Sequence, residues 1–161
     1  MSEQLPVTLT FEQAHWTAIS EVNCWRGHCM ELNARLDRAV TSALLAWHGE
    51  AIPQTWGDRL QLLRKLTGEE GKRSDPKLHD LATALSNLRD EWRDRMAHAT
   101  STVHLDANNQ WVWHFSLPKQ PGRPEDRGSL GQADGSRIER ELKDKVNTLR
   151  GRLKHFGVAC C

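Results

Sequence analysis

The sequence lacks several features that mark common classes of protein. Its 161 residues include no tyrosine and only four cysteines, and no apolar run reaches the roughly 18 residues of a membrane-spanning helix. The basic and apolar segments of a secretory signal are also absent from its start. The formal net charge of +1 is far from the strong basic excess that is typical of non-specific nucleic-acid binders. We therefore expect a cytoplasmic protein that spans no membrane.

The four cysteines follow no recognisable disulfide or metal-binding pattern. Cys24 and Cys29 enclose His28 within a helical pattern, whereas Cys160 and Cys161 are adjacent. A structural zinc site uses four tetrahedral ligands, and no second pair with matching spacing is present. The phosphate-binding patterns G-x-G-x-x-G and G-x4-G-K-[ST] are missing as well. We predict reduced thiols and neither a metal nor a cofactor. A metal site formed by Cys24, His28 and Cys29 is the alternative.

The longest helical pattern occupies the first third of the chain. Apolar residues recur with a period near 3.6 from about Phe11 to the stop at Gly49. Thr10 and Gln13 form the T-x-x-Q pattern of a capping box at its start. Gly27 interrupts the pattern, because glycine inside a helix costs about 1 kcal/mol relative to alanine. The pattern is thus compatible with one helix or with two.

Three further helices are predicted along the chain. The second covers residues 55–66 and carries leucines on one side. The third begins at Asp75 and Pro76, an N-cap followed by proline at the first helical position, and its apolar stripe continues to Met96. The last covers residues 137–156 and carries another apolar stripe.

Between the third and last helices the apolar period changes to two. The runs at 103–105 and 111–115 enclose the turn-forming string D-A-N-N-Q, which predicts a β-hairpin. We predict an extended arm at residues 1–10 and, from their proline and glycine content, a mobile loop at residues 118–136. The prediction is a single domain over residues 1–161, an all-α bundle of four to five helices with a small β-hairpin before the last helix.

The third helix ends in the charged string R-D-R-M-A-H. Arg93 and His98 are five positions apart, which places them about 140° apart around an ideal helix. A site that uses both therefore requires a distorted last turn or a second copy of the helix. Alternatively, the string is an ordinary solvated helix end. Asp94 and His98 then form an i, i+4 pair, and Arg95 and His98 suit the negative end of the helix dipole.

The same string, Arg93-Asp94 followed by His98, resembles the R-polar-x-x-x-H motif of the HEPN superfamily (higher eukaryotes and prokaryotes nucleotide-binding domains). The predicted order of helices is similar too: a long first helix, a short second, a third with the motif near its end, and a final helix. The resemblance covers roughly residues 15 to 156. The chain departs from the commonest pattern in having Asp94 rather than Asn and Ala99 rather than Gly.

The resemblance implies a metal-independent endoribonuclease in which Arg and His from two copies converge at a homodimer interface. It implies that His98 acts as general acid and base, that Arg93 binds the scissile phosphate, and that Asp94 orients the site. We add Arg89 and Arg95 as candidate substrate-binding residues.

The resemblance also implies a toxin–antitoxin or phage-defence setting, with RNA as substrate and an antitoxin or other regulatory protein as partner. The alternative function is a catalytically inactive helical module of the same type that binds a protein partner, a nucleotide or RNA. A dimeric structural adaptor, which would need only the tryptophan-rich faces, is a third interpretation.

Two further groups of residues are candidates outside the motif. His104 and His114 accompany Trp111 and Trp113 in the hairpin, where the indoles either stack on bases or, more commonly, belong to the core. The second group consists of the basic residues Arg64, Lys65, Lys72 and Arg73. These residues form either a rim that binds RNA or ordinary solvated helix ends.

Overall fold

A computed structural model describes residues 9–49, 51–119, 124–155 and 158 of the chain. The helices are α1 (Phe11–His48), α2 (Trp56–Thr67), α3 (Pro76–Leu88), α4 (Asp94–His98) and α5 (Gln132–His155). The strands β1 (Thr100–Leu105), β2 (Trp111–Leu117) and β3 (Asp126–Gly131) form an antiparallel sheet in the order β1-β2-β3. The prediction of a mostly helical fold with a small hairpin is confirmed. Across these ranges no helix is apolar enough over a sufficient length to cross a bilayer.

The first helix is single, which answers the question raised by Gly27. Thr10 Oγ1 accepts a hydrogen bond from the Gln13 amide (3.2 Å), and Gln13 Oε1 accepts one from the Thr10 amide (2.9 Å), so the predicted capping box is confirmed. Gly27 lies in the interior of α1, and no atom would lie within 4 Å of a Cβ there. At 1.5 Å per residue, α1 is about 57 Å long.

Helices α3 and α4 belong to one continuous helix, because the segment between them, Arg89–Arg93, is a π-helix. We call residues 76–98 the motif helix and Arg89–Arg93 the π segment. Asp75 caps its start by accepting a hydrogen bond from the Leu78 amide (2.9 Å), as predicted. A π segment widens one turn of a helix by an extra residue, and such insertions are frequent at functional sites.

The core lies between the helices and the inner face of the sheet. Trp113 of β2 is fully buried, and its ring centroid lies 5.7 Å from that of Trp25 on α1 and 4.9 Å from that of Phe115. Each fully buried large apolar side chain contributes about 1.5–3 kcal/mol to stability. Other fully buried members of the core are Leu36, Leu44, Leu60, Leu63, Leu78, Leu85, Ile138, Leu142 and Leu149.

The predicted mobile loop at residues 118–136 is wrong over most of its described length. Asp126–Gly131 forms the third strand of the sheet, and α5 begins at Gln132 instead of at residue 137. Residues 120–123 lie outside the described residues, as do most of the predicted arm at 1–10 and the last residue of the predicted 137–156 helix. The sheet therefore has three strands where a two-stranded hairpin was expected.

The error arises from glycines that allow close packing. A Cβ at Gly128 would lie 2.6 Å from Phe115 Cζ, and one at Gly135 would lie 2.5 Å from Trp111 Cη2. The Gly135 carbonyl also accepts a hydrogen bond from Trp25 Nε1 (2.8 Å). Glycine within a strand often marks a close approach of another group, as Gly128 does in β3. Gly135 allows a similar approach within helix α5.

Candidate functional site

Two clefts flank the C-terminal half of the motif helix. The arginine cleft has a volume of about 680 Å³ and lies between the π segment and the start of α2; its basic lining residues are Arg59, Arg64, Arg89 and Arg93. The histidine cleft has a volume of about 630 Å³ and lies between His98 and the ends of β2 and β3. Asp90 and Asp94 line both clefts and form the ridge between them.

This arrangement keeps the two principal motif residues apart within one chain. Arg93 lines the arginine cleft and is partly exposed, whereas exposed His98 lines the histidine cleft. The π segment ends at Arg93, and the helix from Asp94 to His98 is α-helical. The distortion therefore precedes the Arg93–His98 interval and does not bring the two side chains together.

The histidine cleft is rich in carboxylates, and arginines offset their charge. The pairs are Asp90 with Arg89, Asp94 with Arg93 (3.1 Å), Glu125 with Arg127 (2.6 Å) and Asp126 with Arg95 (2.6 Å). No hydrogen bond or ion pair joins the His98 imidazole to any other residue in the described part of the chain. The imidazole is thus accessible at the cleft surface, as a general acid or base must be.

Arg95 is engaged in holding the fold together. Its Nε and Nη2 donate to the two carboxylate oxygens of Asp126 at 2.6 and 3.3 Å. Its guanidinium also lies over the rings of Trp92 and Phe115, at 5.0 and 5.1 Å from their centroids. A bidentate pair with aromatic stacking fixes the guanidinium in one orientation. Arg95 therefore joins α4 to β3, and its predicted contact with substrate stays a prediction.

Arg59 anchors the arginine cleft to α1. Its Nε lies 3.3 Å from Asp37 Oδ1, and its terminal nitrogens donate to Thr41 Oγ1 (2.9 Å) and the Gln54 carbonyl (2.7 Å). Burial raises the pKa of Asp37 above its ordinary value, while the positive charges of Arg59 and Arg93 act in the opposite direction. The ion pair thus joins α2 to α1 on the floor of the cleft.

Arg89 and Arg93 lie at the two ends of the π segment and line the same cleft. The Arg89 guanidinium pairs with Asp90 and packs against the start of α2, where a Cβ at Gly57 would collide with it. Arg93 Nη1 donates to Asp94 Oδ1 (3.1 Å). The motif helix therefore supplies one wall of the cleft and α2 the other.

The remaining candidates are located as follows. Trp111 and Trp113 are 4% and 0% exposed, so they belong to the core and cannot stack on bases. The exposed rings of His104 and His114 lie 5.1 Å apart on the outer face of the sheet. Of the predicted basic rim, three residues line a separate cleft of about 1090 Å³ beside the end of α2; these are Arg64, Lys65 and Lys72.

The three residues of the alternative metal site differ in exposure and in surroundings. Cys24 is exposed, and His28 Nδ1 lies 3.7 Å from a carboxylate oxygen of Glu139. Cys29 is buried, and burial, with a smaller contribution from the charge of Glu139, raises its pKa to about 12. Within the described ranges no three His, Cys, Asp or Glu side chains are grouped so that they could hold a metal ion. Cys160 and Cys161 lie outside those ranges.

The contribution of α1 and α2 to the arginine cleft was not predicted from the sequence. Asp37, Thr55, Gly57 and Arg59 line it together with the arginines of the motif helix. Of the residues that α2 contributes to the cleft, only Arg64 was a candidate from the sequence, as part of the basic group. The chain matches no protein-family model, no curated protein and no solved structure.

Proposed function

We propose that this protein is a metal-independent endoribonuclease of the HEPN type that acts as a homodimer. The observation that carries the proposal is the position of the two motif side chains. Exposed His98 and partly exposed Arg93 stand on opposite sides of the Asp90–Asp94 ridge, at the accessible end of one helix. A second copy that brings its Arg93 to the histidine cleft would complete a site that one chain leaves divided.

In the proposed reaction His98 removes the proton of a ribose 2′-hydroxyl. The 2′-oxygen then attacks the adjacent phosphorus, the bond from phosphorus to the 5′-oxygen breaks, and the leaving oxygen receives a proton through the imidazole. Histidine suits both transfers because its ordinary pKa lies near working pH. Arg93 of the other copy stabilises the charge that develops on the phosphate oxygens.

Electrostatics gives a reason for the second copy. The carboxylates of the histidine cleft are already paired with this chain's own arginines, so the cleft has little surplus positive charge for a polyanion. An additional arginine from a partner copy would supply that charge at the point where it is needed. The toxin–antitoxin or phage-defence setting, with an antitoxin or other regulatory protein as partner, is proposed from the resemblance alone.

The test is cleavage of single-stranded RNA by the purified protein in EDTA. His98→Ala and Arg93→Ala are each expected to reduce the rate about 10²- to 10⁴-fold, the usual contribution of a positioned acid-base or electrostatic group. Arg35→Ala is the matched control, because Arg35 is exposed and pairs with Glu31 on α1. Equal rates for the wild type and His98→Ala would refute the proposal, as would activity that disappears in EDTA.

A catalytically inactive binding module is the second candidate, and one surface favours it. Leu9, Phe11 and Trp16, at the start of α1, are 51%, 80% and 62% exposed. These three large apolar side chains lie within residues 9–16, at one end of α1, and exposed apolar patches are typical of protein-interaction surfaces. No RNA cleavage by wild type, together with a partner whose binding is lost in Trp16→Glu, would support the binding module over the nuclease.

A further inference from the structure

The arginine cleft contains cationic donors that its own contacts do not use. Arg64 lies exposed on the rim, and no hydrogen bond or ion pair joins its guanidinium to another residue in the described part of the chain. Arg93 uses only Nη1, in its pair with the next residue. Arg89 pairs with Asp90 through Nε and Nη2, while its Nη1 packs against Gly57. Arg64 and Arg93 thus keep guanidinium nitrogens without a hydrogen-bond partner among the described residues, and Arg89 lines the same cleft.

The acidic side chains of the cleft, by contrast, are engaged within the protein. Asp37 pairs with Arg59 (3.3 Å), and Asp58 Oδ2 accepts a hydrogen bond from Thr55 Oγ1 (2.6 Å). On the ridge, Asp90 pairs with Arg89, and Asp94 pairs with Arg93. Although the charges of the four arginines and four aspartates cancel formally, the cleft presents donors to a ligand.

The floor of the cleft also holds buried polar atoms that lack a hydrogen-bond partner. Trp56 is only 8% exposed, it lines the cleft, and its indole Nε1 has no partner in the described part of the chain. Asp37 Oδ1 and Arg59 Nε are likewise without an aligned hydrogen bond, although they lie within ion-pair distance. Buried polar groups in proteins are nearly always satisfied. The Trp56 indole is thus a donor beside the cleft that the described residues leave unpaired.

The start of α2 adds a favourable electrostatic field. Thr55 Oγ1 caps the helix by accepting a hydrogen bond from the Asp58 amide (3.2 Å), and the amides of Trp56 and Gly57 precede the first intrahelical partners. The positive end of a helix dipole favours anions, and phosphates commonly bind there. Absence of a side chain at Gly57 leaves room for the Arg89 guanidinium beside this helix end.

We propose that the arginine cleft is a phosphate-binding subsite, in which Arg64 and Arg89 bind a phosphate at the start of α2, apart from the scissile phosphate assigned to Arg93. Guanidinium groups donate in pairs to phosphate oxygens, so several arginines around one helix end form a specific site and not merely a positive surface. The phosphate chemistry is argued from this cleft alone. Its assignment to RNA, as a backbone phosphate beside the one that is cleaved, rests on the proposed nuclease function.

The test measures binding of a short single-stranded 2′-O-methyl RNA, which lacks the attacking hydroxyl, at several salt concentrations and with inorganic phosphate as competitor. Arg64→Gln and Arg89→Gln are each expected to weaken binding about tenfold, as loss of a charge-assisted hydrogen bond does. Each is also expected to reduce the slope of log K against log salt by about 0.7. Arg35→Gln, which removes an equal charge from α1, is expected to change neither quantity.

Inorganic phosphate is expected to compete with the oligonucleotide in the wild type and to compete less well in Arg64→Gln. Arg64 is exposed on the rim, so its substitution leaves the fold intact even if Arg89→Gln destabilises the start of α2. Equal affinities for the wild type and Arg64→Gln would overturn the subsite. An equal loss in Arg35→Gln would also overturn it, because binding would then depend only on overall charge.

The proposed phosphate subsite and the proposed nuclease function can be refuted independently of each other. RNA cleavage that depends on His98, with no effect of Arg64→Gln or Arg89→Gln on oligonucleotide binding, would retain the nuclease and eliminate the subsite. If no RNA is bound or cleaved, but inorganic phosphate raises the melting temperature of wild type and not that of Arg64→Gln, the subsite stands. Its ligand would then be a free phosphate-bearing molecule.

Discussion

Two glycines in α5 have opposite surroundings. Gly135, in the first turns of the helix, lies against Trp111 and Trp25, and its carbonyl accepts the Trp25 indole hydrogen bond. Gly151, near the other end, has no atom within 4 Å of the position that a Cβ would occupy. The first glycine is needed for a contact between helix and sheet, whereas the second only lowers helix propensity.

We therefore expect the same substitution to change stability in opposite directions. Gly135→Ala should lower the free energy of unfolding by about 1–3 kcal/mol, the usual cost of overpacking a core. Gly151→Ala should raise it by about 0.5–1 kcal/mol, since alanine favours the helix. Urea denaturation of the two variants and the wild type measures both effects. A stabilising Gly135→Ala would contradict the packing of Trp111 on this glycine.

At the scale of elements, the junction between α4 and the third strand lies beside the histidine cleft. Arg95 and Asp126 join them through two hydrogen bonds, and their side chains are 22% and 36% exposed. Arg127 of the same strand and Glu125, which precedes it, form a pair whose side chains are 73% and 43% exposed. Solvent screens the second pair more strongly, so the first should contribute more to the stability of the junction.

A double-mutant cycle measures this difference. Arg95→Ala combined with Asp126→Ala is expected to give a coupling of about 0.5–2 kcal/mol in the free energy of unfolding. The control cycle, Arg127→Ala with Glu125→Ala, is expected to stay below about 0.5 kcal/mol. A coupling near zero for Arg95 and Asp126, with a loss of RNA affinity in Arg95→Ala, would favour the predicted role of Arg95 as a substrate ligand.

At the scale of the whole molecule, one chain separates the two motif side chains and a dimer would combine them. Arg93 and His98 line clefts on opposite sides of the Asp90–Asp94 ridge. Symmetric dimers place the same surface of both copies at their interface, so each composite site would receive its arginine from one copy and its histidine from the other. This geometry makes the proposed site dependent on pairing of the chains.

Subunit mixing tests that dependence directly. Arg93→Ala and His98→Ala are each expected to be inactive alone, while their mixture recovers about a quarter of wild-type activity. Half of randomly paired dimers are mixed, and each mixed dimer holds one intact site of two. A mixture of Arg93→Ala with the double variant should recover none. If tagged heterodimers form and remain inactive, Arg93 and His98 do not act across an interface.

Much of the local structure could be predicted from the sequence, because it depends on neighbouring residues. The capping box at Thr10, the N-cap at Asp75 and the helical and alternating apolar periods each involve positions within a few residues of one another. The same local geometry predicted that Arg93 and His98 would point in different directions. The mostly helical fold with a hairpin follows from these signals.

The features that only the tertiary structure determines depend on contacts between residues that are distant in sequence. The third strand pairs with β2 and places Gly128 against Phe115, although its glycines and polar residues are locally typical of a loop. The π segment departs from the 3.6 period that sequence patterns assume. The arginine cleft joins Asp37, Gly57 and Arg89 from three helices. Local patterns fix elements because their interactions are short-range, whereas a cleft depends on which elements pack together.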